Sequence, residues 1–77
     1  MNVWEGMGRI AHAREQITMA QKKVSELWQW VSGREQLREQ TESVLLSEAE
    51  RCDQAIEQLQ VATHDLQVLR DELKASR

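Results

Sequence analysis

Residues 10–31 read IAHAREQITMAQKKVSELWQWV, and their apolar side chains fall on a seven-residue beat. Ile10, Ile17, Val24 and Val31 share one position of the repeat, and Ala13, Ala20 and Leu27 share another, three residues on. The beat reaches back to Val3 and Gly6. It returns in the second half as Leu45, Cys52, Leu59, Leu66 and Leu73, interleaved with Ala55, Ala62 and Leu69. With the first row called a and the second d, this is the pattern of helices packed along a seam. In the middle the rows turn polar, with Arg38 at a and Arg34, Thr41 and Glu48 at d.

The composition agrees with an all-α chain. There is no Pro, Phe or Tyr among the 77 residues and only three Gly, while Glu, Gln, Ala, Leu, Lys and Arg abound. Such residues favour long helices. The length fits one small helical domain, 1–77. Helix 1 is expected over about 2–31, starting at Asn2 with Glu5 three residues on, a capping-box pair. Ser32-Gly33 marks its stop. Residues 32–42 form a turn or a short helix, with Ser32 and Glu35 as a further capping pair. Helix 2 is expected over about 43–75, with Ser47 and Glu50 offering another start.

Side-chain size selects the topology. An antiparallel helical hairpin that sets a opposite d pairs Ile10 with Ala62, Ala13 with Leu59, Ile17 with Ala55 and Ala20 with Cys52. Each layer then joins a small residue to a larger one, which keeps the packing density constant. Val24 against Glu48 is the one poor layer. The alternative is a long straight antiparallel coiled-coil dimer, from helices up to about 110 Å long. That arrangement sets Arg34 against Arg38 at its centre, which favours the hairpin. A three-helix arrangement using 34–42 ranks third.

A two-helix seam leaves Trp4, Met7, Trp28, Trp30, Ile56, Val61 and Val68 outside it, with Val44 and Leu46. Exposed tryptophans rimmed by charge mark contact surfaces. These seven are the expected partner-binding residues. The partner is either a second copy, completing a four-helix bundle, or a different protein. Trp28 and Trp30 beside the turn are the expected anchors, with Leu37 near enough to cover them.

Other functions find little footing. The net charge is −3 with no basic stripe, which argues against nucleic acid. No run of 18 apolar residues is present, so no membrane span is expected. A signal-peptide layout is missing, and Asn2 stands where myristoylation needs Gly. One cysteine forms no internal disulfide, and a reducing cytoplasm is the expected compartment. Cys52, at position a, reads as a small buried apolar residue. His12 and His64 read as solvated, without zinc spacing. Gly6-x-Gly8 lacks the strand and the Lys-Ser/Thr of a phosphate loop. No catalytic residue, metal ligand, cofactor or small-molecule substrate is expected.

In size and layout the chain resembles WXG-type secreted hairpins and the small helical co-chaperones of type III secretion. It is similar also to small coiled-coil subunits of trafficking, kinetochore or cytoskeletal complexes. Trp30-Val31-Ser32-Gly33 places a Trp near the turn but departs from Trp-x-Gly by one residue. The expected function is a non-enzymatic protein–protein interaction module: a subunit, adaptor or co-chaperone assembling by helix packing. The alternative is a structural rod or spacer, or a helical component of a secretion apparatus.

Overall fold

A computed structural model describes residues 2–34 and 40–76. Two helices account for nearly all of them: α1, Val3–Ser32, and α2, Glu42–Ala75. Asn2, in extended backbone, starts α1, and its side-chain oxygen accepts the Glu5 amide at 2.8 Å. A cap of this kind stabilises a helix by about 1 kcal/mol. At the other end the Gly33 amide donates to the Gln29 carbonyl and the Arg34 amide to the Val31 carbonyl. Gly33 has φ −84°, which any residue adopts, so its lack of a side chain is not needed for the stop. The Ser32 hydroxyl donates back to the Trp28 carbonyl at 2.7 Å and so serves its own helix. Glu35, Leu37 and Arg38, with the readings placed on them, lie outside the described residues.

α2 begins earlier than the Ser47 signal. Thr41 takes the cap position without a side-chain bond, and the Leu45 amide reaches its carbonyl at 3.0 Å. Glu42 in the first turn and Lys74 in the last suit the two poles of the helix dipole.

The helices pack against each other within the chain as an antiparallel hairpin. Arg9 contacts Asp65, and Glu26 contacts Arg51, so low numbers meet high ones at both ends. The Cα envelope measures 56 × 15 × 15 Å, the length of two helices of 30 and 34 residues lying side by side.

What lies in the seam differs from the expectation of large facing small. The buried apolar residues are Ala13, Ala20, Ala55 and Ala62, each 1–4 % exposed and all at position d. The contacts at Arg9 and Glu26 bracket a register that sets Ala13 opposite Ala62 and Ala20 opposite Ala55. Position a lies at the edge of the seam: Val3, Ile10, Val24, Val31, Leu59, Leu66 and Leu73 keep 43–75 % of their surface exposed, and Ile17 and Leu45 are half-buried. The physical reason is the size of the d residues. Interaxial distance is set by the side chains at the contact, and alanine on both sides lets the backbones come close. With d centred, a and g lie about 50° to either side on a helix of 100° per residue. Bulky a side chains do not fit between backbones that close, and they turn outward.

Candidate functional site

Centring the seam on d gives the hairpin two unlike flanks. In an antiparallel pair both a rows fall on the same side, with the e rows beyond them, and both g rows fall on the other. The a/e flank is apolar. Val3, Met7 and Ile10 of α1 meet Leu69 and Leu73 of α2 around a shallow hollow near the chain ends. Further along, Ile17 and Val24 meet Leu59 over a second hollow floored by Ala20. Ile56 and Trp28, at position e, border this flank, and Trp28 is 71 % exposed. Cys52 belongs to the same row and is an exposed free thiol, not the buried residue expected of it.

The g flank is polar and closed by charge. Asp65 is the only polar residue in the buried class among the described residues, at 8 % exposure. Its Oδ1 accepts from Arg9 Nη1 at 3.5 Å, and its Oδ2 lies 2.5 Å from His12 Nδ1. A carboxylate only accepts, so the imidazole is the donor. His12 is therefore a bonded residue spanning the two helices, which corrects its reading as a solvated one. Toward the turn, Arg51 Nη1 donates to Glu26 Oε2 at 2.9 Å, while its Nε stands 3.6 Å from Glu48 Oε2. That ion pair offsets the charge of the glutamate which the heptad pattern left at position d, although its buried Oε2 accepts no hydrogen bond among the described residues. Between these two clamps Gln16 and Lys23 face Gln54, Glu57, Gln58 and Val61.

The seven expected partner-binding residues do not form one surface. Met7, Trp28 and Ile56 lie on or beside the apolar flank. Trp4, at position b and 80 % exposed, stands on the outer side of α1. Val61 lines the polar hollow. Val68 is half-buried at position c. Trp30 is at position g, half-buried, with the Arg34 guanidinium 5.2 Å from its ring centroid, a cation–π contact inside the chain. Trp28 and Trp30 thus point to opposite flanks. Ile10, Val24, Leu59 and Leu66, assigned to the seam from their heptad position, are the larger part of the exposed row. The signal was in the sequence: alanine recurs every seventh residue on both helices, and bulky neighbours are excluded from a seam of alanines.

Among the described residues no three His, Cys, Asp or Glu side chains are grouped to hold a metal ion. Asp65 and His12 resemble part of a hydrolytic triad, but Cys52 is on the far flank, and no hydroxyl is bonded to His12 among the described residues. None of the described helices is long and apolar enough to cross a membrane. Compared with protein-family models, with curated proteins and with solved structures, the chain matches none.

Proposed function

We propose that this chain is a non-enzymatic protein–protein interaction module, a small coiled-coil subunit or adaptor that assembles by burying its apolar flank against another helical surface. One observation carries the reading. A row of bulky aliphatic side chains runs the length of the hairpin only partly covered, while the opposite flank is bridged by charge pairs within the chain. Contiguous exposed apolar surface of this kind marks an interaction site. The hairpin's own core supports the same reading. Among the described residues four alanines are the buried apolar ones, and a helical pair with so small a core gains stability from covering its apolar flank. Trp28 is the anchor on this flank, and Trp30 is not. The rod or spacer reading is weakened by a 56 Å length, about half that of a straight helix. An exposed thiol at Cys52 suits a reducing compartment.

The test compares faces. Tagged protein is used as bait in three forms: native, Leu59→Glu/Leu66→Glu on the apolar flank, and Trp4→Ala/Leu46→Ala on the outer sides. Loss of all assembly in the flank variant, with retention in the outer variant, is the expected outcome. Equal assembly by all three forms would refute the reading.

A further inference from the structure

The occupant of the apolar flank can be inferred from its charges. The flank has few. Position e carries Arg14 and Arg70 toward the chain ends and Glu42 toward the turn, and the described a residues carry none. Position e thus carries arginines at one end and a glutamate at the other; Arg70 also pairs with its exposed neighbour Asp71 at 3.1 Å, a surface contact that its guanidinium can share with a second carboxylate. We propose that the flank is covered by a second copy of this chain, turned end over end, making an antiparallel four-helix bundle. This rests on the interaction-module reading and names its partner.

The pairing follows from the heptad positions. Reversing a second α2 on the first so that Arg70 meets Glu42 brings Thr63 to Ala49 and Ile56 to its own copy. At position a, Cys52 then meets Leu59 and Leu45 meets Leu66. On α1 the same reversal sets Arg14 against the exposed face of Trp28, a cation–π arrangement, and Gln21 against its own copy. Ile10 meets Val31, and Ile17 meets Val24. The reversal crosses α2 at Ile56 and α1 at Gln21. With Ala20 opposite Ala55 across the seam, these two crossing points lie about 3 Å apart in height, less than one helical turn, so a single axis serves both.

The alternative face-to-face stacking, with the turns at the same end, gathers the arginines of both copies into neighbouring layers and leaves Glu42 away from them. The size also fits. A flank of 56 by 15 Å gives roughly 800 Å² per copy, the area of a standard stable interface.

Sedimentation or light scattering at tens of micromolar should give twice the 9.0 kDa chain mass. Arg70→Glu should raise the dimer dissociation constant at least tenfold, and adding Glu42→Arg should restore it. In a Cys52→Ala background, Ile56→Cys and Gln21→Cys should each crosslink to themselves with a short bis-maleimide. A 9.0 kDa species at these concentrations overturns the proposal. So does a dimer that joins position 21 only to position 56, or whose charge swap fails to restore affinity. A monomer whose capture of a different protein still needs Leu59 and Leu66 would refute the second copy and leave the interaction reading standing. Mass and capture both indifferent to Leu59→Glu/Leu66→Glu would refute both.

Discussion

The two flanks of this hairpin are built from the same helices, the same distance from the same alanine seam, and they have opposite character. On the g flank, Asp65 gathers Arg9 and His12, and Arg51 gathers Glu26 and stands near Glu48, so most of the charged groups find opposite charges inside the chain, although the buried Glu48 Oε2 and Gln58 Oε1 accept no hydrogen bond. On the a flank, Ile10, Val24, Leu59 and Leu66 have no such recourse. A charge is satisfied by one well-placed opposite charge, whereas an aliphatic side chain is satisfied only by being surrounded. Two helices surround nothing beyond the line where they touch. Polar flanks of a hairpin can therefore be complete within one chain, and apolar flanks cannot.

The difference can be tested by breaking each part. The largest effect belongs to the apolar flank. Leu59→Glu with Leu66→Glu removes two aliphatic side chains and places charge in the proposed interface. At about 1.5–3 kcal/mol per buried side chain, assembly should weaken by at least ~3 kcal/mol, on the order of 100-fold or more in Kd. The isolated hairpin should keep most of its helicity by circular dichroism, because both residues leave nearly half of their surface exposed in it.

Next is the seam. Ala20→Leu forces an isobutyl group between closely approaching backbones. Overpacking of this kind costs about 1–3 kcal/mol, read as a fall in Tm. Helix propensity alone predicts almost no change, so an unaltered Tm would mean that the alanine seam is not close-packed.

The polar flank should respond less. Asp65→Ala removes the acceptor for Arg9 and His12, and both of those are partly solvated and can turn to water. The expected loss is about 1 kcal/mol, seen in thermal melts, with the oligomer mass unchanged. A change of mass would mean that this flank also takes part in assembly.

Two small effects bound the comparison. An added Cβ at Gly8 meets nothing within 4 Å. Gly8→Ala should therefore stabilise α1 by up to about 1 kcal/mol through helix propensity alone. Trp4→Ala should shift stability by no more than about 0.5 kcal/mol and leave assembly intact, since Trp4 lies on neither flank. A marked loss of assembly there would move the interface to the outer side of α1.

Much of the fold was legible in the residues. Composition and the seven-residue beat specify two helices. The break at Ser32-Gly33, followed by the polar d positions Arg34, Thr41 and Glu48, points to a chain that doubles back, and the structure has that arrangement. The candidate site was legible only in part. Met7, Trp28 and Ile56, singled out for being outside the a/d rows, lie on or beside the apolar flank that we propose as the interface. Ile10, Val24, Leu59 and Leu66 were missed because a and d were both assigned to the seam. Trp4, Trp30, Val61 and Val68 were included for their hydrophobicity, which does not report direction. His12 was read as solvated because the carboxylate that bonds it lies far off in the chain and becomes a neighbour only across the hairpin.

The sequence by itself determined where helices form and which residues share a stripe, because both follow from short-range periodicity along one chain. Only the tertiary structure decided which stripe is buried. That depends on how closely two backbones approach, and Ala13, Ala20, Ala55 and Ala62 set the approach jointly from both helices. Once alanine sits against alanine, the larger side chains beside it have room only on the outside.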